Sequence, residues 1–333
     1  MQRKQLLIIY LLCLFLIAIF SDKSMATVGG DCDACHNIFP GMMEKTHKGK
    51  AFQYVLKNEF CVNCHSNANS DTIKNLGGNR VPVVHSTVAP IRPLAGGNFY
   101  YVAKDFGDRK GHNVDGITSV DMKFNGFPPG YTRTSDPSIV GYNSGKPLMC
   151  AGSNGCHGDR NIEDPFAAIM GTHHALDKPI DGSTTAKSYR FLKNTGKMKG
   201  VLGTEDKDWN QSSSSKNHNE YYPSIDVLCE NCHGDFHGKD NKDTGHWFKH
   251  PTGVPIPSKG EYLKYGTYNT DAPVARKTPE KTPGPEVNHG SDTVMCLSCH
   301  VAHASPYESM LRWDYDRLMT EGKGGCLICH SGK

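Results

Sequence analysis

Residues 32–36 read CDACH, and the same frame, Cys-x-x-Cys-His, returns at 61–65 (CVNCH), 229–233 (CENCH), 296–300 (CLSCH) and 326–330 (CLICH). Two thiols three residues apart share one face of a helical turn, and the next residue stands above whatever they hold. A porphyrin offers two vinyl groups on one edge to such a pair, and the imidazole then reaches the iron. A zinc site gives no reason for histidine to follow the second cysteine in every copy, and a thioredoxin-like redox pair needs only one copy. The five copies are therefore read as covalent haem c sites. Their thioether residues are Cys32 and Cys35, Cys61 and Cys64, Cys229 and Cys232, Cys296 and Cys299, and Cys326 and Cys329; their proximal ligands are His36, His65, His233, His300 and His330.

Around these sites the chain reads as an exported protein. It opens MQRK, continues through the uncharged run Leu6–Phe20, and reaches SDKSMA. That order matches a signal peptide cleaved after Ala26. A transmembrane anchor is the competing reading, but the run falls short of the ~20 apolar residues that a span requires. Residues 27–333 are read as one multihaem domain without stable membrane insertion. Removing residues 1–26 lowers Lys+Arg from 37 to 34 and Asp+Glu from 34 to 33, which leaves +1. That balance, without a basic stripe or a nucleic-acid motif, argues against a nucleic-acid partner.

Thirteen cysteines less Cys13 in the leader leave twelve, and ten are already placed. The remaining two, Cys150 and Cys156, lie in MCAGSNGCHG (149–158), where His157 follows the second cysteine but five residues separate the pair. A disulfide is one reading. It leaves His157 unexplained. The intervening Ala-Gly-Ser-Asn-Gly is small and flexible enough to bulge out while both sulfurs reach the vinyl groups. A sixth haem on Cys150, Cys156 and His157 is therefore preferred, with the disulfide left open.

Each iron needs a second axial ligand, and histidine is in surplus: eleven of the seventeen lie outside the motifs. His47, His85, His112, His173, His174, His237, His250, His289 and His303 are the distal candidates. His218, in QSSSSKNHNEYY, reads as part of a surface loop and is set aside. His246 is discounted beside His250. The neighbours His173 and His174 point in different directions, so at most one serves a given iron. Iron held by two histidines passes electrons and has no open position for a substrate, so an enzyme is not expected.

Between the motifs, residues 66–149 and 178–222 are rich in Gly, Pro, Asn, Ser and Thr. Haems in place of apolar side chains allow such a chain to fold. The expected fold class is a multihaem cytochrome c, mostly coil with short α-helices and few strands, around a haem-stacked core. The clearest helix signal is SPYESMLRWDYDRLMTEG (305–322), with Ser305 and Glu308 as a capping box and Pro306 in the first turn. Met42–Lys57 is a weaker helical candidate, and NFYYVAKDF (98–106) suggests a short strand.

RKGHN (109–113), CENCHGDFH (229–237), KHPTG (249–253) and MCLSCHVAHASPYESMLR (295–312) resemble the outer-surface hexahaem c-type cytochrome S family of metal-reducing bacteria. The resemblance implies six bis-histidine haems stacked in series and head-to-tail self-association into an extracellular filament. It also implies other multihaem cytochromes or extracellular acceptors as electron partners. It supports haem at Cys150–His157, where the family has an ordinary motif. Histidines matching the family are His112, His250, His289 and His303 and, less closely, His237 and His85. Two positions depart from it. Phe39 stands where the family has the histidine that binds a haem of the neighbouring subunit, and Arg160 stands where a histidine follows the third motif. His47 and one of His173 and His174 are the expected replacements. A discrete periplasmic shuttle and a multihaem oxidoreductase with one open iron are the competing functions. The intact mass of the mature protein is expected to exceed the polypeptide by six haem increments; five increments would assign Cys150 and Cys156 to a disulfide.

Overall fold

The computed structural model describes residues 28–36, 56, 60–104, 107–121, 127–131, 146–175, 179–193, 200–210, 216–236, 250–277, 283–322 and 324–332. Met42–Lys57, apart from Leu56, the leader, Phe39, His47, His237 and His246 lie outside them. The regular elements are short. The longest helices among the described residues, Ser224–Glu230 and Tyr315–Glu321, have seven residues each. The strands form small sheets, the largest being Met149–Ala151, Gly155–Asp159 and Leu192–Lys193, all parallel. The fold is mostly coil with short helices and few strands, as expected.

Three readings are corrected. The helix expected over 305–322 begins only at Tyr315, where the Asp314 side chain caps the amide of Asp316, and it ends at Gly322 with φ 61°. The Ser305–Glu308 capping box does not form. Ser305 Oγ instead accepts the amide of Tyr307, and Ser309 and Met310 turn left-handed at φ 57° and 58°. The strand expected at 98–106 contains a turn of helix, Tyr100–Ala103, and the buried Asn98 side chain accepts both the Tyr100 amide that opens it and the distant Ser86 amide. His218 is not on the surface. It is fully buried, stacked on Tyr268 with ring centroids 3.7 Å apart, and its two ring nitrogens face the carbonyl oxygens of Asn219 and Gly284. Polar flanking residues hid this position, because stacking on a distant tyrosine leaves no local pattern.

The apolar core is divided. One cluster joins Tyr189, Val201, Tyr221, Ile225, Ala275 and Met295. A second joins Ile256, Tyr265, Tyr268 and Val274 and reaches Cys329. A third, Phe99, Val102, Val114 and Ala304, reaches Cys150. The second and third clusters therefore abut cysteines of the motifs.

Ala304 in the third cluster is pinched by backbone bridges from Gly97 and Gly111. A Cβ on Gly97, whose φ is +82°, would meet Ala304 O at 2.0 Å, so only glycine fits there. This knot ties the His303 amide to Gly96 O and the His112 amide to His303 O. It places two candidate ligands from distant parts of the chain side by side.

Between the first two clusters the chain buries an ion pair. Arg276 Nε lies 2.9 Å from Glu220 Oε1, with both side chains nearly inaccessible, and Arg276 also donates to Gly284 O and Glu286 O. Removing one partner of a buried pair costs about 3–5 kcal/mol, because the other charge stays dehydrated. Glu220→Gln is therefore expected to destabilise the protein by roughly 3 kcal/mol, read as a lower urea midpoint for unfolding.

Candidate haem sites

Each Cys-x-x-Cys-His closes as a single turn. The histidine amide donates to the first cysteine's carbonyl in four of them: His36 to Cys32, His233 to Cys229, His300 to Cys296 and His330 to Cys326, at 2.9–3.0 Å. In the fifth, Cys61–His65 is itself a helical turn. The turn points both thiols one way, as covalent attachment requires.

Cys150 and Cys156 reach a similar spacing by another route. Met149 pairs with Gly155 and Ala151 with His157 in a parallel ladder, so Cys150 stands opposite Cys156. Paired parallel strands lie about 4.7–4.9 Å apart with facing side chains on the same side, whereas Cβ atoms three residues apart on a helix are about 5–6 Å apart. The extra residues form a turn through Gly152 at φ +88°, where Gly155 N donates to Gly152 O. Both cysteines are free thiols in the structure, as are all twelve beyond the leader.

Five of the six motif histidines share an orientation device. Nδ1–H donates to Pro82 O in His65, Arg190 O in His157, Pro129 O in His233 and Ser309 O in His300, at 2.7–2.8 Å. His330 uses the Glu261 carboxylate at 3.1 Å. Holding Nδ1 this way leaves Nε2 as the metal ligand. Two of the carbonyls belong to strained backbone: Arg190 at φ 52° and Ser309 at φ 57° are left-handed without being glycine. The helix signal at 305–322 is overridden in that segment, whose left-handed turn delivers Ser309 O to His300.

Five motif histidines face a second imidazole. The ring centroids are 6.1 Å apart for His36 and His174, 6.3 Å for His65 and His173, 6.3 Å for His157 and His303, 6.2 Å for His233 and His112, and 6.2 Å for His330 and His250. Imidazoles on opposite sides of one metal, with bonds of roughly 2.0–2.1 Å and about 1.1 Å from each nitrogen to its ring centre, have centroids roughly 6.2–6.4 Å apart. The residues thus fit a bis-histidine iron at each pair. Burial lowers the basicity of six of these rings, His36, His65, His112, His157, His173 and His303, which favours the neutral form that binds metal. Burial, then nearby imidazoles, hold His173 down to about 4 and His303 down to about 3.

The sites follow one another in space as they do in sequence. His173 and His174 are consecutive and face the motif histidines of the second and first sites respectively. Cys61 of the second site and Cys150 of the third share a hydrogen bond, which lowers the Cys61 thiol to about 7. Cys156 of the third and Cys232 of the fourth line one cleft with Leu148, Arg160 and Leu228. His112, facing His233 of the fourth, donates from Nδ1 to Ala302 O beside the fifth. Burial first, then Cys326 and Cys329 of the sixth, pushes Cys299 of the fifth up to about 12.

The remaining candidates differ. His289 gives Nε2 to Tyr262 O at 2.8 Å and is not in one of these pairs. His85 is half-buried, with its basicity lowered by burial. Among the described residues, no second imidazole stands at this spacing from His300.

Thiol pairs on single turns, imidazole pairs at metal-spanning distance and a mostly coiled chain define the class: this is a multihaem c-type cytochrome. Residues 288–333, spanning the last two motifs, match the family model described as Doubled CXXCH motif. Over 352 aligned residues the chain is 24% identical to the C-type cytochrome OmcS of Geobacter sulfurreducens, covering 85% of this chain and 78% of that protein. It is also similar to a solved structure of the OmcS nanowires from Geobacter sulfurreducens, with TM-score 0.51 and 19% identity over 86% of this chain and 84% of that one. A structure of the Outer Membrane Cytochrome S filament from the same organism gives TM-score 0.49 and 17% identity over 92% and 99%. The chain is OmcS-like in fold and in its haem-binding motifs. Replacing the imidazole that faces His157, His303→Ala, is expected to leave the haem mass unchanged and add one high-spin ferric signal; an unchanged low-spin spectrum would break the His157–His303 pairing as a ligand set.

Proposed function

We propose that this chain carries six haem c groups in series and passes single electrons along them outside the cell, as a head-to-tail polymer. The observation that carries this reading is the set of five imidazole pairs, ordered in space as in sequence. Haem bound at such pairs supplies one-electron redox chemistry with both axial positions filled. The protein's part is attachment, through the twelve cysteines, and orientation, through the Nδ1 bonds. Burial around the sites keeps water from the rings. Saturated axial positions favour electron transfer over substrate turnover, so we read the protein as a conductor and not an enzyme.

Each pair is proposed as one proximal and one distal ligand, with His157 the proximal ligand of a sixth haem on Cys150 and Cys156. The parallel ladder supports that haem by presenting its two thiols side by side. Residues 1–26 are proposed as an export signal and 27–333 as a single domain, with other multihaem cytochromes or extracellular acceptors as electron partners.

Self-association is supported by the likeness to subunits solved within filaments. We propose that His47 supplies the bridging ligand to a haem of a neighbouring copy. Cryo-electron microscopy of the native haem-positive secreted fraction is expected to show filaments with a continuous haem series. His47→Ala should abolish them while six haems remain attached. Filaments persisting in that variant would refute the bridge, and discrete particles in the wild type would make the protein a shuttle.

A further inference from the structure

We propose that Glu261 makes the last site, Cys326–His330, harder to reduce than the four sites whose motif histidine is anchored on a backbone carbonyl. The inference rests on His330 being an iron ligand. The Nδ1 anchors of His65, His157, His233 and His300 are neutral backbone carbonyls. At His330 the acceptor is a carboxylate oxygen, Glu261 Oε1, at 3.1 Å. A carboxylate brings a full negative charge to the ring and draws the Nδ1 proton more strongly than a carbonyl does. Nε2 becomes a stronger donor. Ferric iron, with the higher charge, gains more from this than ferrous iron does.

The carboxylate is built into place. Glu261 lies in the helical turn Gly260–Lys264. Its Oε2 accepts the Gly332 amide at 3.0 Å, and its backbone carbonyl accepts Ser331 Oγ at 3.0 Å. Its neighbour Tyr262 sets its ring edge-on to His330, with centroids 5.3 Å apart. The segment 260–264 therefore clamps 330–332 and fixes the carboxylate beside the imidazole.

The preceding site carries the opposite sign. Arg312 donates from its amide to Cys299 O and from Nε to Leu297 O, which lays a guanidinium along the Cys296–His300 turn. A cation there favours the ferrous state, and an anion on His330 favours the ferric state. The couple concerned is the gain of one electron by ferric iron to give ferrous iron, with no bond made or broken and no proton moved. Its electron comes from the neighbouring site. The site at His330 is thus reduced after the Cys296–His300 site before it.

The test uses the full haem-loaded protein carrying Glu261→Gln or Glu261→Asp. Mass spectrometry counts attached haems, the low-spin spectrum reports axial ligation, and spectroelectrochemical titration resolves the couples. One couple is expected to move to higher potential in Glu261→Gln while the other couples stay. Glu261→Asp, which restores the charge, is expected to return it toward the wild-type value. Unchanged couples in a Glu261→Gln protein with all haems attached and low-spin would overturn the role of Glu261. Peptide masses showing no haem on Cys326 and Cys329 in the wild type would instead overturn the ligand reading beneath it.

Discussion

A hydrogen bond from the Nδ1 of a motif histidine to an acceptor elsewhere in the chain is the constraint on which the structure turns. A free imidazole rotates and presents either nitrogen. Bound at Nδ1, it offers Nε2 in one direction. Much of the irregular backbone follows from supplying those acceptors. Pro82 and Pro129 provide carbonyls from extended or turn conformations, while Arg190 and Ser309 provide them from left-handed backbone that ordinary residues avoid. The loss of helix at 307–311 is one consequence of this demand.

The same demand explains why so little regular structure is needed. The apolar clusters are small and separate, and two of them border cysteines of the haem motifs. A chain of this polarity cannot offset its conformational entropy with such clusters alone. In the proposed reading, flat apolar porphyrins held between the imidazole pairs would supply the missing surface. The buried Arg276–Glu220 pair and the stacked His218 and Tyr268 lie between those clusters, where the polar atoms are satisfied by backbone carbonyls and by one another.

Glycine contributes where segments must approach closely. Gly97 admits the Ala304 carbonyl to a distance no Cβ allows, and the resulting knot aligns His303 with the third site and His112 with the fourth. Gly152 lets the long Cys150–Cys156 interval fold back into a ladder. Two different backbone solutions, a helical turn and a parallel ladder, thus produce the same presentation of two thiols and one imidazole.

The sequence alone determined the class of cofactor and the mostly coiled fold, because two thiols and a histidine within five residues form a local pattern. Arg160, which replaces a family histidine, could be seen as a departure, though not that it would be buried in the cleft between Cys156 and Cys232. Tertiary structure decided the pairing. His157 meets His303 and His65 meets His173 across long stretches of chain, and nothing near either residue records its partner. Consecutive His173 and His174 turn to different sites, which their adjacency permitted without assigning. His218 looked like a loop residue and lies in the core, and Glu261 drew no notice until the fold set it against His330. These contacts are made by residues remote in sequence, so their identity rests on how the backbone turns and not on any spacing along it.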